Sequence, residues 1–413
     1  KDHSINLHHC HSPVNTLLSK NTKKTLNPIK QCFVRHRLNH HHRGCIIKMT
    51  LKSAIMTFKN PCKPVVLTGD RPTGPLHLGH YIGSLKNRLD LQNRTQPHDI
   101  YIMVADTQAL TDHFEHPNLV RQCTLELVKD YLAIGIDPEK TTLFIQSQIP
   151  ELCELTTYFM NLVTVSRLER NPTVKSEIQQ KGMQESLPAG FLCYPVSQAA
   201  DISAFGLPES GNILVPVGQD QMPMIEISNE IVRRFNRLYG PCLQEATGVL
   251  SPTARLMGID GQNKASKSLN NAIYLKDSKD ILREKVFQMY TDPGHIHVQD
   301  PGKVEGNMIF HYLDAFAPDQ EQVHAFKTHY EKGGLGDVVL KKYLFSVLDD
   351  LLAPIVEKRH TVRDQDAMEI LIEGSKQARQ RVQEKMKHVR AAMQLDYSKP
   401  MATDPGLQPQ VSL

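Results

Sequence analysis

The 413-residue chain contains no tryptophan, and none of its apolar runs approaches the roughly 18 residues needed to cross a bilayer. It has no C-x-x-C pair: its eight cysteines are scattered at 10, 32, 45, 62, 123, 153, 193 and 242. A disulfide framework is therefore not indicated, and the pattern suits reduced thiols in a cytosol-like compartment. With no cysteine after Cys242, a cysteine-held zinc or iron–sulfur site in the last 171 residues is excluded. Neither G-x-G-x-x-G nor G-x-x-x-x-G-K-[ST] stands at the first strand-to-helix turn, so dinucleotide and P-loop readings lose support there. With 40% hydrophobic and 22% charged residues, the chain has the composition of a globular protein of two or three domains.

Charge is unevenly placed. The formal net charge is +4, yet residues 1–60 hold eleven Lys or Arg against a single acid, Asp2, which leaves residues 61–413 at −6. Any nucleic-acid contact by the body must then come from a local patch rather than a general attraction to phosphate. Residues 1–60 also carry eight of the twenty histidines, clustered at His8-His9-Cys10-His11 and His40-His41-His42. Metal binding and organelle targeting fit this basic stretch. The expectation adopted is a disordered or non-native N-terminal extension, with Met49 or Met56 as a natural start.

From Pro64 the pattern becomes α/β. Val65–Thr68, Asp99–Val104, Thr141–Ile145 and Ile213–Val217 read as buried strands; helical spacing covers Leu78–Leu91, Asn118–Leu132, Glu151–Val163 and Tyr194–Phe205, with a further helix ending at Tyr239. Strand–helix–strand units of this length imply right-handed crossovers and an open parallel sheet, with ligands beyond the carboxyl ends of the strands. After about residue 270 the strands stop. Helices are expected at Lys279–Tyr290, Glu305–Ala315, Gln320–Lys332, Gly336–Arg359 and Arg363–Met393, followed by a frayed tail. The domain reading is an extension over 1–60, an α/β domain over 61–270, an all-helical domain over 271–395 and a tail over 396–413.

Two segments could carry chemistry. In Leu67-Thr-Gly-Asp-Arg-Pro-Thr-Gly-Pro-Leu-His77-Leu-Gly-His80, a strand enters a Gly/Pro turn and a helix begins with two imidazoles on one face. Gly69 allows close backbone approach, and the helix start offers unpaired N–H groups to an anion. Alone, such a pair fits a solvated or backbone-bonded couple as well as a phosphate site. Lys264-Ala-Ser266-Lys267-Ser268, in a Gly/Asn-rich loop, suits a polyphosphate clamp and equally a solvated surface loop.

Together, H-x-G-H at the first turn and K-x-S-K-S at the exit of the α/β region resemble the paired signatures of class I aminoacyl-tRNA synthetases. Within that class the stretch from about Pro64 to about Leu395 resembles the bacterial-type tryptophanyl-tRNA synthetases. Leu132–Pro138, Leu143–Pro150, Leu168–Lys175, Tyr194–Ile202 and Pro216–Gln221 support this. The resemblance implies a Rossmann-like catalytic domain followed by a helical anticodon-binding domain, and an ATP-dependent ligase that forms tryptophanyl-adenylate and charges tRNA(Trp).

Carried over by position, the resemblance gives catalytic roles to His77, His80, Lys264 and Lys267. ATP contacts fall to Gly69, Arg71, Gly79, His80, Gly218, Asp220, Gln221, Lys264, Ser266, Lys267 and Ser268. Tryptophan contacts fall to Asp201, Tyr194 and Gln198, with Asp201 accepting the indole N–H. It implies Mg2+ travelling with ATP and no metal ligand from protein side chains, a homodimer, and a cytoplasmic location. Tyrosyl-tRNA synthetases share both signatures; they usually carry tyrosine on the first strand where Leu67 stands here, and their turn is typically one residue longer. Against a nucleotidyltransferase sharing only the first turn stand the lysine loop and the Asp201 segment together. Against a non-catalytic paralogue with a regulatory or RNA-binding role stands the presence of His77, His80, Lys264, Lys267, Asp201 and Asp220.

Departures from the family pattern are Ala265 and Gln198 where methionine is common, and Glu177 where some relatives have lysine, with Lys181 as a substitute. A basic face of Lys341, Lys342, Lys358, Arg359 and Arg363 is expected for RNA. The missing tryptophans fit an enzyme whose own synthesis does not require its product, and chance composition equally.

Overall fold

The computed structural model describes residues 63–95, 98–250, 256–267 and 269–397. The histidine-rich extension, Ser268 and the tail from residue 398, all subjects of sequence expectations, lie outside the described residues. Those described belong to one compact unit, Phe58–Leu413.

Five parallel strands form the sheet: β1 (Val65–Asp70), β2 (Asp99–Val104), β3 (Thr141–Ile145), β4 (Ile213–Val217) and β5 (Ala246–Leu250), in the order β3-β2-β1-β4-β5. Four of them are the expected strands, and the β-branched runs that made them legible are buried on both faces. β5 was not expected. Its Ala-Thr-Gly-Val-Leu sequence is an edge strand, mostly open to solvent, and carries no apolar run to betray it.

Helix α1 combines Leu78–His80, a π-helical turn Tyr81–Leu85 and Lys86–Gln92. It is followed by α2 (Asp106–His113), α3 (Pro117–Ile134), α4 (Glu151–Met160), α5 (Val165–Glu169), α6 (Pro172–Gln180), α7 (Ala189–Ser203) and α8 (Met222–Tyr239). α3 opens with Pro117 in its first turn and stops at Gly135, whose φ of 106° is a left-handed cap. Beyond the sheet come α9 (Lys279–Gln288), α10 (Met308–Phe316), α11 (Gln320–Lys332), α12 (Asp337–Thr361) and α13 (Asp364–Ala392).

The helical region shares its core with the sheet. Val66, Ile102 and Leu143 lie in one apolar cluster with Leu344, Leu348 and Leu371, while Ala378, Val382 and Met386 of α13 join Leu67, Phe144 and Phe205. α13 covers β3, the edge opposite β5: Ile145 N–H donates to Ser375 Oγ (3.0 Å), satisfying an edge amide. Arg379 and Arg390 then pair with Glu151 and Glu154 of α4, and Arg381 donates to the Phe205 carbonyl (2.8 Å). This crossing is possible because residue 374 is glycine; a Cβ there would lie 1.9 Å from the Leu143 carbonyl oxygen. Gly374→Ala is therefore expected to destabilise the protein by at least about 1–3 kcal/mol, the cost of overpacking, read as a lowered thermal midpoint. An unchanged midpoint would show that α13 does not press on β3.

Candidate active site

β1 ends at Asp70, and the chain turns through Gly74, at φ +144°, before His77 caps α1. Gly79 N–H donates to His77 Nδ1 (3.1 Å), and His77 N–H donates to His80 Nδ1 (3.2 Å). Both Nδ1 atoms are thus acceptors, so each neutral ring carries its proton on Nε2 and presents a single N–H donor. Gly79 is required by this cap, since a Cβ would lie 2.9 Å from the His77 ring. Burial, then the charges of His80, Lys267 and Lys264, holds His77 down at about 2. Burial and Lys267 hold His80 at about 4, with Asp70 pulling the other way. At neutral pH the pair acts by donating hydrogen bonds, not as cations.

The lysine loop closes on this turn. Lys267 Nζ donates to the Gly74 carbonyl (2.9 Å), and burial lowers its pKa. Lys264 projects from the exposed side of the same loop. Buried Ala265 donates its N–H to the Leu256 carbonyl (3.1 Å), so the position where methionine is common points inward. Ser266 N–H donates to Asn271 Oδ1 (2.8 Å), while Asn271 Nδ2 donates to Asp260 Oδ2 (3.0 Å) and the Lys264 carbonyl (3.3 Å). Leu78 N–H donates to Ile273 O and Leu275 N–H to Leu76 O, each at 2.9 Å. Backbone pairing therefore joins the histidine turn to the exit of the lysine loop.

Asp70 and Arg88 escaped the sequence reading. Arg88, 2% exposed, donates to Asp70 Oδ2 (2.6 Å), which also accepts from the Tyr131 hydroxyl (2.5 Å). Burial alone would raise the Asp70 carboxyl, but Arg88, His80 and Tyr131 together hold it well below the usual carboxylate range. Gly69 proves to have a packing reason: a Cβ would lie 2.5 Å from the Met103 carbonyl oxygen of β2.

Tyr194, Gln198 and Asp201 follow one face of α7 at helical spacing. Asp201 is 1% exposed and accepts from Gln108 Nε2 (2.7 Å) and Gln146 Nε2 (2.9 and 3.1 Å). Burial pushes it up to about 7, with the two amides opposing. Gln198 is half-buried, while burial and Glu177 push the Tyr194 hydroxyl far above its ordinary value. Lys181 pairs with Asp112, which also takes Arg71 Nη1 (3.3 Å) and His113 Nδ1 (2.9 Å). Arg71 and Asp112 both act on Tyr194, placing the turn after β1 beside this face of α7.

β4 neighbours β1, so Gly218–Gln221 leaves the same edge of the sheet. There the exposed Asp220 accepts from Thr173 Oγ1 through its carbonyl (2.7 Å), and Gln221 Nε2 reaches Asp220 Oδ2 at 3.5 Å. Gly218 allows this fold-back, since a Cβ would lie 2.7 Å from Asp220 Oδ1.

Gln108 and Gln146 went unassigned in the sequence although each stands just past the carboxyl end of a buried parallel strand. A polar side chain at that place was the available signal.

The expected basic face of the helical region is corrected. Arg359 turns inward to Asp130 (2.7 Å) and Glu126 (2.5 Å), and Lys341 donates to the carbonyls of Phe287 (2.7 Å) and Met289 (3.1 Å). Arg363 pairs with Asp366 and stays exposed, as do Lys342 and Lys358. A buried acid such as Asp130 demanded a cation, and charge runs do not reveal such partners.

Residues 59–353 match the family of class I tRNA synthetases (W and Y). The tryptophan–tRNA ligase of Streptococcus pyogenes serotype M3 is 54% identical over 343 residues, covering 81% of this chain and 99% of that protein. That of Streptococcus mutans serotype c is 53% identical over 343 residues, with the same coverage. The crystal structure of Campylobacter jejuni tryptophanyl-tRNA synthetase complexed with ADP and tryptophan, 29% identical, superposes with a TM-score of 0.69 over 80% of this chain and 100% of that one. The chain belongs to the class I tRNA synthetases for tryptophan and tyrosine, and within them to the tryptophan–tRNA ligase family.

Removing Arg88 would strand the buried Asp70 carboxylate. Arg88→Met is expected to cost about 3–5 kcal/mol in denaturant unfolding, and Asp70→Asn combined with Arg88→Met to recover much of it. Equal losses in the single and double variants would show that the pair is not energetically coupled.

Proposed function

We propose that the chain activates tryptophan with ATP and transfers it to tRNA(Trp). The observation that carries the substrate reading is Asp201: a carboxylate buried with no cation acting on it among the described residues, held by two amides. Indole has one N–H and no acceptor, so a carboxylate is its natural partner, and a phenyl ring would leave that carboxylate unpaired. Tyr194 and Gln198 border the same site.

In the first step the tryptophan carboxylate attacks the α-phosphorus of ATP in line; the bond to the bridging oxygen breaks and pyrophosphate leaves with the electron pair. His77 and His80 donate their Nε2–H groups to phosphate oxygens. Lys264 and Lys267 take the β- and γ-phosphates, with Lys267 exchanging the Gly74 carbonyl for phosphate; the family resemblance adds Ser266 and Ser268 to the ATP contacts. Gly69, Arg71 and Gly79 shape the nucleotide's approach, while Gly218, Asp220 and Gln221 meet the ribose and the substrate ammonium.

Lysine ammonium and imidazole N–H groups suit phosphate oxygens, so Mg2+ comes with ATP. Because the protein forms no covalent bond, rate comes from positioning and electrostatics. The acyl group then passes to the terminal adenosine of tRNA, and the helical region reads the anticodon. A homodimer in the cytoplasm is what the family resemblance implies.

Amino-acid-dependent ATP–pyrophosphate exchange, run with tryptophan, tyrosine and phenylalanine in parallel, tests the reading. Exchange with tryptophan alone is expected; exchange with tyrosine would move the substrate, and none with any would refute adenylation. Lys267→Ala is expected to slow adenylate formation by about 10²–10³-fold in single-turnover measurements, the loss typical of a removed transition-state contact. A wild-type rate would remove Lys267 from the phosphate role.

A further inference from the structure

The two glutamines around Asp201 form a closed arrangement. Gln108 lies in the first turn of α2, and its backbone N–H donates to Gln146 Oε1 (3.2 Å). This fixes which way the Gln146 amide faces: with its oxygen occupied by a donor, its NH2 group points to Asp201, meeting Oδ2 at 2.9 Å and Oδ1 at 3.1 Å. The Gln108 side chain adds a third bond, to Oδ2 at 2.7 Å. Oδ2 therefore accepts two short hydrogen bonds and Oδ1 a single longer one. Since a carboxylate oxygen accepts about two, the remaining capacity lies on Oδ1.

From this geometry we infer that Gln146, locked by Gln108, is a specificity-determining positioning residue: the amide pair orients the Asp201 carboxylate, keeps it in its acceptor form and leaves Oδ1 for the single N–H of the substrate ring. The inference rests on the reading of Asp201 as the indole acceptor. With Oδ2 taken by two amide donors, a protonated Asp201 would carry its proton on Oδ1 and turn an O–H toward the substrate N–H, weakening recognition.

Three elements bring polar or titratable groups to this carboxylate. α2 brings Gln108, the turn after β3 brings Gln146, and α4 brings Cys153, whose thiol is itself pushed up by burial and by Asp201. No charged side chain of α4 or α8 acts on Asp201 among the described residues. Gln146 is 4% exposed, so water does not readily replace its donors. Burial already carries Asp201 up to about 7, and the two amides oppose that rise. Taking the Gln146 donors away must therefore move the titration upward, into the range where the enzyme works.

Because the chain contains no Trp, the fluorescence of bound tryptophan reports binding without a tryptophan background from the protein. Tryptophan Kd would be measured on the full chain from about pH 6 to about pH 9, bracketing the titration. Wild-type affinity should be flat at the alkaline end and weaken toward about tenfold per pH unit below the inflection, as expected for one required ionisation. Gln146→Leu should move that inflection up by about one unit or more, weaken binding several-fold near neutrality, recover most affinity at the alkaline end, and leave KM for ATP unchanged. Gln108→Leu should do the same to a smaller degree, and carries the test if Gln146→Leu does not fold.

An unchanged profile, or a loss equal at every pH, would overturn the positioning role. Asp201→Asn separates the two claims. Weak, pH-independent binding by that variant supports the acceptor reading, whereas wild-type affinity and profile would overturn the acceptor itself, whatever the glutamine variants do.

Discussion

The site depends on how three residues, Leu76 to Leu78, are held. Leu76 N–H donates to Asp130 Oδ2 (3.2 Å), and the Leu76 carbonyl accepts from Leu275. His77 N–H goes to His80 Nδ1, and Leu78 N–H to Ile273. Each backbone donor of the helix start is thus satisfied by a different part of the chain: α3, the cap itself and the exit of the lysine loop. The other oxygen of Asp130 takes Arg359 of α12, so the histidine turn, the lysine loop and the helical region converge on one stretch of backbone. A helix start held this way has its backbone fixed from three directions.

The electrostatics follow the same economy. Lys267 and, from the exposed side of its loop, Lys264 act on two largely buried histidines, and their mutual repulsion would be costly if all were charged. Accepting backbone N–H bonds at Nδ1 and losing solvent keep both imidazoles neutral, so positive charge is left to the lysines. Asp70, ionised by its bond to Arg88, supplies the negative charge that opposes loss of the proton from Lys267 and His80. Around Asp201 the logic reverses: among the described residues no cation acts on it, and burial pushes it up to about 7 against two amide donors.

The strands and most long helices could be read along the chain because their signal is local. Val65–Val66–Leu67 and Ile100–Val104 are apolar runs, and Gln320–Lys332 was expected with the bounds it has. β5 could not be read this way, since an edge strand needs little hydrophobicity. The histidine and lysine motifs were visible as patterns, but their partnership rested on resemblance until the backbone pairing at Leu78 and Leu275 joined them. Arg359 shows the reverse failure: in a charge run it looked like an exposed cation, and only the position of Asp130 across the fold made it an internal one.

What the sequence determined alone was what short-range chemistry settles: an α/β chain giving way to helices, a glycine-rich turn leading into His77 and His80, and a lysine loop at the exit. The tertiary structure decided what those groups are once assembled. The imidazoles are neutral donors because of their caps and burial; Gln108, Gln146 and Asp201, separated by 38 to 93 residues, form one hydrogen-bonded unit. Gly374 is glycine because α13 crosses a strand more than two hundred residues earlier. Proton affinity, hydrogen-bond direction and steric demand all depend on neighbours in space, and residues so far apart in the chain become neighbours only when the sheet and its helices close around them.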